Sequence, residues 1–106
     1  MGVDCFYEEQ ARLDGALETS YTVQQKFDFL KRLYDEGARN IEMEAPQLAA
    51  FCYRAGIRGA VICTTLLDRL KGDQVTSTKE QLAEYSDRAQ RLVINFIVKE
   101  LGCGRD

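Results

Sequence analysis

The sequence predicts an α/β fold in which helices flank a mixed or parallel sheet. Three segments place apolar residues at the helical period of 3.6, and two short stretches of strand character, 39–43 and 59–67, lie between them. The stretch 59–67 is continuously apolar and rich in β-branched residues, which is typical of a strand that is buried on both faces of a parallel sheet. The chain therefore reads as helix, strand, helix, strand, loop, helix.

The first predicted helix covers residues 22–36. Thr22 and Gln25 form a capping-box pattern at its start, and Gly37 suits the position that follows its end. Its apolar residues recur on one face, which we expect to be buried: Val23, Phe27, Leu30 and Tyr34.

The second helix is predicted to begin at Pro46, the only proline, and to end at Gly56. Since strands 39–43 and 59–67 stand on either side of it, this region predicts a right-handed β-α-β crossover with parallel strands. The helix is expected to turn these residues inward: Leu48, Phe51, Cys52 and Ala55.

A polar loop, 68–78, precedes the last predicted helix, which Thr78 and Gln81 cap and which ends near Gly102. Its predicted inner side consists of Leu82, Tyr85, Leu92, Phe96 and Leu101. Two strands make a poor sheet because three or more are usually needed, so we expect these residues to form part of a larger domain.

Composition excludes several classes of function. The 106 residues include no histidine, which removes Ser-His-Asp and Cys-His nucleophiles and His-ligated metal sites. A net charge of −3 argues against a nucleic-acid partner. No apolar stretch approaches the roughly 20 residues that cross a bilayer, so no membrane association is expected. The four cysteines form no Cys-x-x-Cys pair; we expect Cys52 and Cys63 to be buried free thiols of a cytoplasmic protein.

The first chemically suggestive cluster is Phe6, Gln10 and Arg12. A Gln side chain can meet the N–H and one carbonyl of a uracil edge, while an Arg meets the other carbonyl. An aromatic ring beside them suits a flat base. The same residues also fit an amphipathic surface loop in which Arg12 pairs with Glu8 or Asp14.

The second cluster is Glu42, Met43 and Glu44, at the end of the first predicted strand, with Arg69 just past the second. If the two strands are parallel neighbours, this cluster and Arg69 lie at the same edge of the sheet, which is where open α/β sheets bind ligands. A carboxylate such as Glu44 can accept hydrogen bonds from two vicinal hydroxyls of a ribose. Alternatively, Met43 is core, both glutamates are solvated, and Asp68 forms a local ion pair with Arg69.

Three motifs together resemble the C-terminal portion of uridine phosphorylases, with the animal type the nearest in pattern. They are Phe-Tyr-x-x-Gln-x-Arg-x-Asp at 6–14, Asn-Ile-Glu-Met-Glu at 40–44 and Leu-Leu-Asp-Arg-Leu at 66–70. The Gln-x-Arg element distinguishes the uridine enzymes from their purine relatives in the nucleoside phosphorylase superfamily.

The resemblance implies roles for individual residues at the base. Gln10 and Arg12 would bind the uracil edge, with Phe6 packed beside the base. Arg69 would lie near the O4 carbonyl. Arg12 and Arg69 would be the catalytic residues, because they would stabilise the negative charge that grows on the departing uracil.

The resemblance also implies a ribose site and a closed pocket. Met43 and Glu44 would hold the sugar, Glu44 through the 2′ and 3′ hydroxyls, with Glu42 in the same wall. Leu66 and Leu67 would close the pocket.

The implied fold is part of a three-layer α/β/α nucleoside phosphorylase-like domain, with residues 1–106 as its C-terminal part and the phosphate-binding part outside this sequence. The implied reaction is the reversible phosphorolysis of uridine to uracil and ribose 1-phosphate in pyrimidine salvage. Phosphate would be the co-substrate, with no metal or cofactor, in a cytoplasmic homodimer. The 106 residues alone are expected to be inactive.

Two residues depart from the family pattern. Glu9 and Ala11 stand where the family commonly has glycine, which would require an adjusted loop if either position needs a positive φ.

Two other functions stay open. One alternative is a purine nucleoside phosphorylase or nucleosidase of the same superfamily with Asp68 as the acid. The other is a non-catalytic, shortened paralogue that assembles with an intact partner.

Overall fold

The computed structural model describes residues 1–102, whose regular structure consists of three helices. They are α1 (Val23–Asp35), α2 (Ala45–Ala55) and α3 (Lys79–Leu101). All three predicted helices are thus confirmed.

The helix ends follow the local signals in the sequence. Thr22 and Thr78 cap α1 and α3 with complete capping boxes, each with the glutamine three residues later, Gln25 or Gln81. Helix α2 has its proline in the first turn and ends at Gly56, whose φ of 67° is left-handed. Such ends depend on a few neighbouring residues, which is why the sequence predicts them well.

The predicted strands are wrong for the described residues, because no strand forms in residues 1–102. Residues 39–43 provide one parallel β-bridge, from Glu42 to Gly2, and do not pair with 59–67. The Val3 N–H donates to the Glu42 carbonyl, and the Glu42 N–H donates to the Met1 carbonyl, both at 3.0 Å. Segment 59–67 has irregular backbone, because a strand exists only where a neighbour accepts its hydrogen bonds.

The chain divides into two compact units, of which the first comprises Met1–Val61 and Leu67–Gln74. Its buried apolar residues are few: Val3, Ala11 and Cys52. The predicted burial of the apolar faces is wrong for this chain: Val23 of α1 is 58% exposed and Phe51 of α2 is 62% exposed. No element among the described residues of this unit covers these faces, whereas the burial of Cys52 is confirmed.

The second unit comprises Ile62–Leu66 and the chain from Val75 onward. The Thr64 hydroxyl donates to the Tyr85 carbonyl at 3.5 Å. Three of the five residues on the predicted inner side of α3 are exposed: Leu92, Phe96 and Leu101. The predicted burial of Cys63 is also wrong. Within residues 1–102, no helix has the length and apolar character needed to cross a membrane.

Candidate functional site

The parallel bridge sets the geometry of the candidate site in the first unit. Gly2 and Glu42 lie side by side on segments that run in the same direction. The segments that follow them, the loop 4–14 and Met43-Glu44, therefore leave from the same edge. The two predicted clusters therefore begin next to each other. The bridge that places them joins Gly2 to Glu42 and is not the predicted pairing of segment 39–43 with segment 59–67.

The loop 4–14 is held by its own side chains. The Glu9 carboxylate accepts the N–H groups of Asp4 and Cys5 at 2.6 and 3.1 Å. The Tyr21 hydroxyl donates to the Glu8 carbonyl at 2.6 Å. Glu9, one of the two departures from the family pattern, thus closes the start of the loop.

Ala11 is the other departure, and it adopts the left-handed conformation that glycine prefers. Its φ is 49°, and it is the one non-glycine residue with positive φ in the described part of the chain. The concern that this position needs a positive φ is confirmed, and an alanine meets the need with strain.

Gln10 and Arg12 are both buried, with 7% and 6% of their surface exposed. The Arg12 guanidinium lies over the Phe6 ring, 4.1 Å from its centroid. Arg12 forms no ion pair with Glu8 or Asp14 in residues 1–102, so the surface-loop alternative is wrong for Arg12. The structure brings Phe6 and Arg12 of the first cluster into direct contact.

Asp73 is the centre of a buried polar network that the sequence did not predict. Its carboxylate binds the Lys26 ammonium at 2.7 Å, the Arg69 Nε at 2.8 Å and the Leu13 N–H at 3.0 Å. Its carbonyl accepts from Arg12 Nη2. Burial acts to raise the pKa of Asp73, but the hydrogen bonds from Lys26, the Leu13 N–H and Arg69 outweigh it and lower the pKa.

Arg69 connects this network to the loop. Its Nη2 donates to the Gln10 carbonyl at 2.7 Å while its Nε binds Asp73. The alternative ion pair of Arg69 with Asp68 does not form: Asp68 is bound by the Leu70 N–H at 3.0 Å and by Lys71 at 3.4 Å. Arg69 thus lies with Gln10 and Arg12, as the candidate site requires.

Two guanidinium nitrogens in this network have no partner. Arg12 Nε and Arg69 Nη1 are buried and make no hydrogen bond in the part of the chain that the structure describes. A buried N–H without an acceptor costs free energy, and such groups are rare in folded proteins. The site therefore offers unused donors that suit carbonyl or anionic oxygen.

Glu42, Met43 and Glu44, the acidic tripeptide, differ in their contacts and exposure. One oxygen of Glu42 accepts the N–H groups of Glu44 and Ala45, at 2.9 and 2.6 Å, so Glu42 serves the start of α2. Glu44 is exposed, and its carboxylate contacts the Met43 N–H at 3.3 Å. Met43 is half-buried, so it is not the core residue of the alternative interpretation. Of the two carboxylates, Glu44 has the more accessible one for a ligand.

The two predicted pocket-closing leucines fall in different units. Leu66 belongs to the second unit and is exposed, whereas Leu67 resumes the first unit and is half-buried. In the first unit, a cavity of about 680 Å³ runs beside the apolar side of α1 and reaches Arg69. Its lining does not include Gln10, Arg12 or Met43. Residues 1–102 contain no cluster of three carboxylate or thiol residues that could hold a metal ion.

Lys26 and Asp73 are the residues that sequence reasoning missed. A signal for Lys26 was present, because it lies three residues after Val23 and four before Leu30, within the apolar stripe of α1. A charged residue in such a stripe needs a buried partner. Asp73 has no comparable signal, since it sits in a polar loop.

Comparison with known proteins identifies relatives of this chain. The family model described as the phosphorylase superfamily matches residues 1–98. Mouse uridine phosphorylase 2 is 54% identical over 97 residues, which cover 92% of this chain and 30% of that protein. The inactive uridine phosphorylase B of Schistosoma mansoni is 33% identical over 97 residues, 92% of this chain and 32% of that protein.

A solved structure gives the same result at the level of the fold. The crystal structure of uridine phosphorylase from Schistosoma mansoni in complex with thymidine superposes with a TM-score of 0.88 at 36% identity. The match covers 95% of this chain and 34% of that one. The chain thus spans about a third of the length of the relatives it matches. This match is consistent with the α/β class, although residues 1–102 form only the helical part of it.

Proposed function

The chain belongs to the phosphorylase superfamily, and on that premise we propose that it forms the uracil- and ribose-binding side of a uridine phosphorylase. The observation that carries this proposal is the pair of buried, unpartnered N–H donors on Arg12 and Arg69, beside Gln10. A uracil ring presents carbonyl oxygens that such donors need. Phe6, which stacks on Arg12, gives the base an aromatic surface.

The proposed reaction is the reversible phosphorolysis of uridine to uracil and ribose 1-phosphate, a pentosyl transfer. As the bond between the anomeric carbon and the base nitrogen stretches, the sugar becomes oxocarbenium-like and negative charge grows on uracil. Arg12 and Arg69 stabilise that charge at the carbonyl oxygens more than they stabilise bound uridine, which accelerates the reaction. The Gln10 side chain recognises uracil by binding the N–H and one carbonyl on the edge of the base.

The sugar is proposed to lie against the acidic tripeptide. Glu44, the accessible carboxylate, accepts hydrogen bonds from the 2′ and 3′ hydroxyls, while Met43 gives an apolar surface and Glu42 belongs to the same wall. A fixed ribose lets phosphate attack the anomeric carbon in line. Leu66 and Leu67 are proposed to close the pocket in the complete domain.

The wider setting is part of the same proposal. Residues 1–106 are the C-terminal part of one α/β/α phosphorylase domain, with phosphate as co-substrate and no metal or cofactor. The enzyme acts in pyrimidine nucleoside salvage as a cytoplasmic homodimer. Mouse uridine phosphorylase 2, at 54% identity, supports the choice of a uridine enzyme among phosphorylases.

The alternative purine reaction with Asp68 as the acid is disfavoured by the structure of Asp68. A carboxyl group that donates a proton near neutral pH needs a raised pKa. The hydrogen bond from the Leu70 N–H lowers the pKa of Asp68; desolvation opposes it, and the contact with Lys71 adds to the lowering. A non-catalytic paralogue is the second candidate, because one relative at 33% identity is described as inactive.

A chimera tests the proposed function in a complete chain. This segment replaces the matching 97 residues of mouse uridine phosphorylase 2. Release of the free base is measured with and without phosphate, as uracil from uridine and as hypoxanthine from inosine. We expect phosphate-dependent cleavage of uridine and none of inosine. Inosine cleavage would support the purine enzyme instead.

The non-catalytic alternative predicts a different result. In that case the chimera is folded and dimerises, as judged by thermal unfolding and light scattering, but cleaves neither nucleoside. The unmodified mouse enzyme is the matched control for assay conditions. The 106-residue chain by itself is expected to show no turnover in the same assay.

A further inference from the structure

Asp73 is surrounded by more positive charge than it can neutralise. It is 5% exposed, and three cationic side chains lie in its network: Lys26 and Arg69 at its carboxylate and Arg12 at its carbonyl. A single buried carboxylate among three cations leaves the cluster cationic. Because desolvating charge is costly, such a cluster calls for a reason other than stability.

The contacts show how Asp73 constrains Arg69. The carboxylate binds Nε, and the Gln10 carbonyl binds Nη2, so one edge of the guanidinium is fixed by two acceptors. The remaining nitrogen, Nη1, is left without a partner. Since a guanidinium is planar and rigid, fixing Nε and Nη2 also fixes the direction of the Nη1 hydrogens.

The same carboxylate anchors the loop that carries the base-binding residues. Its second oxygen accepts the Leu13 N–H at 3.0 Å, directly after Arg12. Lys26 in turn holds the first oxygen at 2.7 Å from α1, and Lys26 is itself only 5% exposed. Asp73 therefore ties α1, the loop 4–14 and Arg69 to one point.

We infer that Asp73 is a positioning residue for pyrimidine recognition: held by Lys26, its carboxylate orients Arg69 so that the free Nη1 group meets a base carbonyl oxygen. This inference rests on the proposed function. Asp73 itself does not touch the substrate. Its effect on binding passes through Arg69, and that dependence separates positioning from a merely structural role.

The test uses the chimera with Asp73→Asn, which keeps the shape of the side chain and removes its charge. We expect the KM for uridine to rise at least about tenfold and the KM for phosphate to stay within about twofold. The matched control is Asp35→Asn, since Asp35 forms an exposed ion pair with Lys31 and is expected to leave both constants unchanged. Equal behaviour of the two variants would overturn the inference.

A double-mutant cycle with Arg69→Ala tests whether Asp73 acts through Arg69. If it does, Asp73→Asn raises the uridine KM by less than about twofold once Arg69 is absent, because coupled residues are not additive. Additive effects would show that Asp73 supports the fold independently and would overturn the inference.

A third variant keeps the test decisive if Asp73→Asn does not fold. Lys26→Met leaves the carboxylate with its other donors and is expected to raise the uridine KM about threefold, again without effect on phosphate. An unchanged uridine KM in Lys26→Met would refute the positioning role. Failure of the proposed function is distinct, because then the parent chimera itself shows no phosphate-dependent uridine cleavage, and both proposals fall.

Discussion

The loop 4–14 and the segment 59–67 differ in where their bonding partners lie. The loop is polar, yet its key residues Gln10 and Arg12 are buried, because the Asp73 network and Phe6 lie within the same unit. The segment is apolar, yet Val61 and Ile62 are each 45% exposed and no strand within residues 1–102 pairs with it. Burial in this chain follows the available partners more than the hydropathy of the residues.

The contrast matters for function. Specific recognition of a base needs donors in fixed directions, and the loop obtains them from ion pairs and hydrogen bonds made by described residues. An apolar strand needs hydrogen-bonded neighbours and covered faces, which residues 1–102 do not provide. The polar contacts of the candidate base site are thus formed within this chain, whereas a sheet is not.

The largest effect is expected from placing a charge in the apolar segment. Ile62→Asp is expected to cost the chimera at least about 3 kcal/mol, because a complete sheet would bury the carboxylate. In the 106-residue chain, the same change is expected to leave the helical circular dichroism signal unaltered, since Ile62 is 45% exposed. Thermal unfolding of the chimera is the measurement. An equal, small effect in both chains would refute the predicted buried strand.

Loss of the loop's guanidinium is expected to have the next largest effect. Arg12→Ala in the chimera is predicted to lower kcat/KM for uridine by at least about tenfold, because a donor to the developing charge on uracil is lost. Arg88→Ala is the matched control, since Arg88 forms an exposed pair with Glu84 at 2.8 Å. A normal rate for Arg12→Ala would exclude Arg12 from the mechanism.

The Asp73 network adds a pH dependence that the apolar segment cannot have. Because the pKa of Asp73 is lowered in the folded state, its contribution to stability is complete above the unfolded-state pKa, near 4. As the pH falls below this value and through the folded-state pKa of Asp73, this contribution to stability is lost. The parent chimera is therefore expected to exceed Asp73→Asn in unfolding midpoint at pH 6, and the gap should shrink toward pH 3. A constant gap would contradict the ion-pair account.

These cases also explain how far the sequence predicts the structure. The helix caps were predictable, because the residues that form each capping box are only three positions apart. Asp73 was not, since it meets Leu13 across 60 positions and no local pattern marks it. The predicted strands do not form for a related reason: within residues 1–102, segment 39–43 has a single bridge to Gly2 and segment 59–67 has no paired neighbour. Lys26 could have been noticed from its place in the apolar stripe of α1.

The smallest expected effect concerns the strained residue in the loop. Ala11 has a φ of 49°, which costs an alanine about 1 kcal/mol, whereas glycine adopts it freely. Ala11→Gly relieves this strain but increases the entropy of the unfolded chain, so we expect a net stabilisation of at most about 1 kcal/mol. Thermal unfolding of the chimera measures it.

The matched control for this prediction is Ala83→Gly in α3, where the backbone is helical. There glycine relieves no strain and only adds unfolded-state entropy, so a destabilisation of about 1 kcal/mol is expected. The two alanines thus predict opposite signs for one substitution. If Ala11→Gly destabilised the chimera as much as Ala83→Gly does, the left-handed conformation at Ala11 would be refuted.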